Sequence, residues 1–127
     1  MGNEREQKRF LIVEDEFMIA ILLEDYLEDL GYGVACQADT VADALKLIEA
    51  DADIDGAILD MNIGGEMVDP IADALTARGI PFCFMTGYGA GAARRHPHAP
   101  VISKPFDIVT LQATLATLMS VADRDRS

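Results

Sequence analysis

Short apolar runs alternate along this chain with longer segments in which apolar residues recur every three or four positions. A short continuous apolar run is typical of a strand buried on both faces, and the longer spacing is typical of a helix with one buried face. Five strands are predicted, at about residues 10–13, 33–38, 56–59, 81–85 and 100–103. Helices are predicted at about residues 16–30, from 40, at about 69–79 and from 107, with a short or mobile helix in the stretch 87–95.

Capping residues support these helix boundaries. Thr40 with Asp43 is typical of a helix start, and Asp69 followed by Pro70 predicts a cap and a first helical residue. Asp107 is predicted to cap the last helix in the same way. We expect that helix to fray after about residue 121.

The order of the elements predicts an α/β fold. Five strand–helix units in about 120 residues give a parallel sheet with helices on both faces, and right-handed crossovers leave few topologies. We predict a doubly wound five-stranded sheet with strand order 2-1-3-4-5. A dinucleotide-binding fold is disfavoured, because no G-x-G-x-x-G follows the first strand. We expect one domain over residues 1–127, with an ordered core of about 9–121.

The net charge of -12 changes the range of partners that we expect. Nucleic acids and anionic membranes select for positive charge, so neither is predicted to bind. No apolar run approaches the roughly 20 residues of a membrane span, and the first nine residues are polar. We therefore expect a soluble, cytoplasmic protein in which Cys36 and Cys83 are buried and reduced.

Polar residues stand at the carboxyl ends of four predicted strands. Glu14 and Asp15 follow the first strand, Asp60 the third, Thr86 the fourth and Lys104 the fifth. These ends form the ligand-binding crevice of a doubly wound sheet, so the side chains should meet. Adjacent carboxylates repel unless a cation joins them, and an all-oxygen set suits Mg²⁺ or Mn²⁺.

The same set suits phosphoryl transfer. A carboxylate such as Asp60 can attack phosphorus and form an acyl phosphate. Lys104 supplies a positive charge, and Thr86 a hydroxyl donor, for the phosphoryl oxygens. Each of these residues alone is more often an ordinary surface residue, and only their combination at four strand ends indicates a function.

Four segments carry a resemblance to the receiver domain of two-component response regulators: Leu11–Glu16, Ile58–Asn62, Met85–Gly87 and Ser103–Phe106. The match covers nearly the whole chain and implies the CheY-like fold. By this resemblance Asp60 is the phosphoacceptor, and Thr86 and Lys104 bind the phosphoryl group. The implied magnesium ligands are Asp15, Asp60 and the backbone carbonyl of Asn62, with Glu14 acting through water. The peptide bond before Pro105 is implied to be cis.

The resemblance also implies a role. The chain would be a single-domain response regulator that accepts a phosphoryl group from a phosphohistidine on a sensor histidine kinase or a phosphotransfer protein. It would not be an enzyme beyond its own phosphorylation and dephosphorylation. Its output would be binding to an unknown downstream protein, or competition for phosphoryl groups as a phosphate sink.

Two positions, Val101 and Gly64, depart from the common receiver pattern. Val101 stands where receivers usually carry a switch aromatic, so the chain resembles the subgroup that reads Phe-Ala-Thr-Gly and lacks that ring. Tyr88, two residues after Thr86, could take over the switch role, shield the acyl phosphate, or only cover a helix start. Gly64, followed by Gly65, replaces a frequent proline four residues after the acceptor, and we expect a mobile loop there.

The first helix carries apolar residues on its predicted outer face. Phe17 and Ile21 are i, i+4 neighbours among acidic residues, with Met18 beside them. They are either scattered surface residues, which are common, or a docking patch for the helical bundle of the phosphodonor. His96 and His98 lie in a basic loop, where we expect solvent exposure and no function.

Two other classes of protein are also compatible with the sequence. The chain could be a receiver-like binding module that is never phosphorylated, although the complete residue set argues against it. It could also be a small haloacid-dehalogenase-like phosphatase, but those enzymes place the nucleophile after the first strand and a second Asp two residues later. Here the nucleophile candidate follows the third strand, and Asn62 stands two residues later.

Overall fold

The structure is a computed structural model that describes residues 7–50, 53–87 and 96–126. The strands are β1 (Arg9–Val13), β2 (Gly33–Ala38), β3 (Gly56–Asp60), β4 (Asn62–Ile63), β5 (Glu66–Met67), β6 (Phe82–Thr86) and β7 (Val101–Ser103). The helices are α1 (Phe17–Asp29), α2 (Val41–Glu49), α3 (Asp69–Ala77) and α4 (Ile108–Arg126).

The main sheet has five parallel strands in the order β2-β1-β3-β6-β7. When only the strands of this sheet are counted, this is the predicted order 2-1-3-4-5. The register pairs Asp60 with Met85 and Thr86 with Ser103. The carboxyl ends of the central strands therefore lie at one edge of the sheet.

Helices cover both faces of this sheet. Successive strand residues point to opposite sides, so Leu11 and Val13 pack with α2 and α3, whereas Phe10 and Ile12 pack with α1 and α4. Burial on both sides explains why the strands read as continuous apolar runs. Cys83 lies in the second of these layers with no exposed surface, and burial raises the pKa of its thiol to about 12.

The helix boundaries follow the capping chemistry with two differences. Thr40 accepts a hydrogen bond from the Asp43 amide at 3.0 Å, and Asp107 accepts one from the Thr110 amide at 2.8 Å, as predicted. Asp69 is the first residue of α3 rather than its cap, since the capping position falls on Val68. Helix α4 continues to Arg126, past the residue after which fraying was predicted, and no glycine or proline lies between 121 and 126.

The loop after β3 is a β-hairpin, which corrects the prediction of a mobile loop. Strand β4 pairs with β5 in antiparallel register, and the turn consists of Gly64 at φ 59° and Gly65 at φ 85°. A tight two-residue turn of this kind needs positive φ at both central positions, which glycine adopts without steric cost. Met61, Ile63 and Val68 are almost completely buried and anchor the hairpin in the core.

The predicted helix at 87–95 lies, apart from Gly87, outside the described residues. The helices that can be described include none with the length and apolar character that crossing a membrane requires.

Candidate functional site

Lys104 joins the ends of three strands at the carboxyl edge of the sheet. Its Nζ lies 3.1 Å from Asp60 Oδ2 and 3.3 Å from Glu14 Oε1. A third, longer contact of 3.5 Å reaches Glu16 Oε1. Residues from β1, β3 and the end of β7 therefore meet, as the sequence predicted from the strand-end positions.

Backbone hydrogen bonds hold these strand ends in place. The Lys104 amide donates to the Thr86 carbonyl at 2.8 Å, and the Glu14 amide donates to the Ala38 carbonyl at 3.1 Å. The peptide bond between Lys104 and Pro105 is cis, as the resemblance implied. The charged side chains thus extend from well-fixed backbone.

Glu14, Asp15 and Asp60 form an acidic cluster in which each residue offers one carboxylate oxygen within 4.8 Å of the others. Glu14 and Asp60 are buried, and Asp15 is exposed. Glu14 Oε2 accepts the Glu16 amide at 3.1 Å. Glu14 Oε1 is buried and accepts no well-aligned hydrogen bond from the residues that the structure describes, although the Lys104 ammonium lies 3.3 Å away and pairs with it electrostatically.

This donor set fits a hard divalent cation. Closely spaced carboxylates supply oxygen ligands of the kind that Mg²⁺ and Mn²⁺ prefer, and a buried oxygen without a hydrogen-bond donor is suited to a cation or its bound water. Asn62, whose backbone carbonyl is a predicted ligand, follows Asp60 by two residues and begins β4.

The electrostatics of the cluster reflect crowded carboxylates. Burial and the neighbouring Asp60 raise the pKa of Glu14 to about 7, although the Glu16 amide and Lys104 act in the opposite direction. Burial alone would lower the pKa of Lys104, but the hydrogen bond to Asp60 and the charges of both acids outweigh burial and raise it. Lys104 thus stays protonated and acts as the internal counterion of the acidic cluster.

The raised pKa of Glu14 predicts a pH-dependent stability of the metal-free protein. The folded-state pKa of about 7 exceeds the ordinary value of 4.5, so folding binds a proton between these values and stability falls as the pH rises through this window. We expect the free energy of unfolding to lose roughly 2–3 kcal/mol from this group between pH 4.5 and 8. Glu14→Gln should lack this component, as measured by urea unfolding of both proteins across that range. Parallel pH profiles for the two proteins would contradict the prediction.

Two of the predicted switch residues, Thr86 and Val101, lie on the α2–α3 side of the sheet. Thr86 is 3% exposed and, by strand alternation, faces the same side as Phe84. Val101 pairs with Phe84 across β6 and β7 and is half-buried against the same apolar layer. Tyr88 lies outside the described residues, so its role stays a prediction.

The outer face of α1 agrees only in part with the prediction. Phe17 and Met18 are 75% and 74% exposed, so two neighbouring large apolar side chains face solvent. Ile21 is half-buried rather than exposed. Successive helical residues are about 100° apart, so Ile21 lies beside the buried Ala20, at the edge of the packed face.

Three contacts were not predicted, two of them near the site. Glu16 contacts Lys104, and Gly64 donates its amide to Asp15 Oδ2 at 2.9 Å. His96 was expected to be solvated, but its side chain is 15% exposed and pairs with Asp73 Oδ1 at 2.9 Å. Its ring also packs edge-on against Phe82 at 5.4 Å. His98 is exposed, as predicted. The Gly64 and His96 contacts depend on the fold, so no local sequence pattern could have indicated them.

Comparison with known proteins supports the resemblance. The family model for the response regulator receiver domain matches residues 10–116. The regulator PhyR of Methylorubrum extorquens is 33% identical over 111 residues, which cover 84% of this chain and 41% of PhyR. The chain therefore spans less than half the length of this curated relative.

Solved structures give the same assignment. SdrG from Sphingomonas melonis is 44% identical, with a TM-score of 0.78 over 91% of this chain and 99% of SdrG. The receiver domain of PhyR from Erythrobacter litoralis is 26% identical, with a TM-score of 0.77 over 90% of this chain and 91% of that one. Together with the site geometry, these similarities establish that the chain belongs to the response regulator receiver domain family.

Proposed function

We propose that this receiver domain accepts a phosphoryl group on Asp60, with Mg²⁺ bound at the acidic cluster, and signals through that modification. The observation that carries the proposal is the contact of Lys104 with both Asp60 and Glu14 at the carboxyl edge of the sheet. The contact joins the candidate nucleophile, one further candidate metal ligand and a positive charge, which supports the proposal.

The proposed reaction is an in-line displacement at phosphorus. An Asp60 carboxylate oxygen forms a bond to phosphorus while the bond from phosphorus to a donor histidine nitrogen breaks, and the electron pair leaves with the imidazole, which then takes up a proton. Lys104 would then pair with a phosphoryl oxygen, and the Thr86 hydroxyl would donate to another. Return to the starting state is hydrolysis of the acyl phosphate by water.

Mg²⁺ would be held by Asp15, Asp60 and the Asn62 carbonyl, with Glu14 through water, and would neutralise charge on the phosphoryl oxygens. Glu14 fits the water-mediated role because its Oε1 is buried beside the other acids and makes no well-aligned hydrogen bond within the described residues. Lys104 fits the transfer role because it already contacts Asp60.

We propose a sensor histidine kinase or a histidine phosphotransfer protein as the donor and a cytoplasmic location. The output would be binding to a further protein or action as a phosphate sink, without turnover of a separate substrate. The net charge of -12 argues against nucleic acid as a partner. The haloacid-dehalogenase-like alternative is disfavoured because Asp60 ends the third strand of the main sheet rather than the first.

The test is incubation of the wild-type protein with acetyl phosphate in Mg²⁺ or in EDTA, followed by intact mass measurement. We expect a gain of one phosphoryl group in Mg²⁺ and none in EDTA. If a folded protein gained none in Mg²⁺, the receiver-like binding module would become the better description.

The exposed face of α1 predicts a docking role. Phe17→Ser with Met18→Ser removes the two exposed apolar side chains without touching the core. Since docking surfaces derive affinity from such anchors, we expect phosphotransfer from a histidine kinase to slow by about tenfold or more, and labelling by acetyl phosphate to be unchanged. Adding Ile21→Ser should also reduce stability, because Ile21 is half-buried. An equal loss with both donors would show that the patch acts on the site rather than on docking.

A further inference from the structure

The turn of the β4–β5 hairpin contacts the acidic cluster through a single backbone group. The Gly64 amide donates to Asp15 Oδ2 at 2.9 Å, across 49 positions of sequence. The hairpin cannot drift from this position without disturbing the core, because Ile63 and Val68 on either side of it are 1% exposed. The turn therefore presents a fixed N–H group to an otherwise exposed carboxylate.

This contact matters because Asp15 is the least buried member of the cluster. A carboxylate has lone pairs on both oxygens, so a hydrogen bond to Oδ2 leaves Oδ1 available to a cation. A donor that fixes one oxygen also fixes the direction of the other, which is how residues behind the direct ligands tune a metal site. A proline at position 64 has no N–H and could not make this contact.

We propose that Gly64 is a positioning residue that aims the Asp15 carboxylate at the divalent cation, and that the Gly64–Gly65 turn exists in this chain to place that amide. The inference rests on the proposed binding of Mg²⁺ at the acidic cluster. The positive φ angles of 59° and 85° define the turn that carries this amide, and a β-branched residue cannot hold such an angle without strain.

The test compares Gly64→Val with a matched control, Gly79→Val. Both glycines have positive φ, at 59° and 72°, and a Cβ at either position would meet no atom within 4 Å. Each variant therefore carries backbone strain without a steric clash, but Gly79 lies after α3 and makes no contact with the acidic cluster among the contacts of the described residues.

We expect Gly64→Val to bind Mg²⁺ about tenfold more weakly than the wild type, and Gly79→Val to bind it with unchanged affinity. Isothermal titration with MgCl₂ gives the affinities, and thermal unfolding in EDTA shows that both variants fold. Equal affinities for Gly64→Val and the wild type would overturn the positioning role while leaving the proposed function intact. A wild type that binds no Mg²⁺ would overturn both.

A second measurement tests the hydrogen bond without any metal. In the metal-free protein the Gly64 amide should exchange with solvent slowly, and Asp15→Ala should make its exchange at least tenfold faster, as followed by NMR. Rapid exchange in the wild type, at the rate of an exposed loop amide, would overturn the inference even if Gly64→Val failed to fold.

Discussion

Asp60→Asn is expected to take up no phosphoryl group from acetyl phosphate in Mg²⁺, under conditions that label the wild type. The amide that replaces the carboxylate is not a nucleophile toward phosphorus, and the shape of the side chain is kept. Asp60 is 8% exposed and contacts Lys104. A substitution that changed the shape of this side chain would disturb packing as well as remove the nucleophile, so the two effects could not be separated. Intact mass measurement gives the result directly.

Asp43→Asn is the matched control, since Asp43 is an exposed acid on α2. It should be labelled as fully as the wild type. Asp60→Asn should also lower the pKa of Glu14, because the charge of Asp60 is one of the causes that raise it. If Asp60→Asn were labelled at the wild-type level, the phosphoacceptor would be another residue, and the assignment of Asp60 would be wrong.

Lys104→Met is expected to have two separable effects. Without Mg²⁺, the free energy of unfolding at pH 8 should fall by about 3 kcal/mol, because buried Glu14 and Asp60 lose their counterion. With saturating Mg²⁺ most of this loss should be recovered, because the metal supplies positive charge to the same carboxylates. Phosphorylation in Mg²⁺ should still slow by about 10²-fold or more, because the ion pair to the phosphoryl oxygen is missing.

Urea unfolding with and without MgCl₂ measures the first effect, and the rate of mass gain measures the second. Lys46→Met removes an exposed lysine from α2 and should change neither. If the stability loss in Lys104→Met were the same with and without Mg²⁺, Lys104 would contribute packing rather than charge balance.

The sequence predicted the sheet well because burial on both faces leaves an unambiguous pattern. The central strands β1, β3 and β6 consist mainly of apolar residues, and right-handed crossovers then restrict the order. The prediction failed where conformation depends on a turn: Gly64 and Gly65 were interpreted through their entropy, whereas their positive φ angles allow a tight hairpin. The hairpin is also anchored in the core by Met61, Ile63 and Val68, whereas a mobile loop was predicted.

The candidate site was predictable to the extent that strand ends determine it. Glu14, Asp60 and Lys104 meet because parallel strands place their carboxyl ends at one edge. No comparable rule predicts which contacts backbone amides or loop residues will make. The pairing of His96 with Asp73 depends on where the residues just before β7 lie relative to α3, which residue types alone do not determine.

The burial of Cys83 has a practical consequence for following the opening of this domain. A thiol that is fully enclosed, with a pKa of about 12, cannot react with an alkylating reagent until the sheet separates from α1 and α4. Cys36 is half-buried on the edge strand β2, and we expect it to react without such an opening, although burial raises the pKa of its thiol too. The alkylation rate of Cys83 would therefore report global opening of the core, and that of Cys36 would report motion at the edge strand, without any added label.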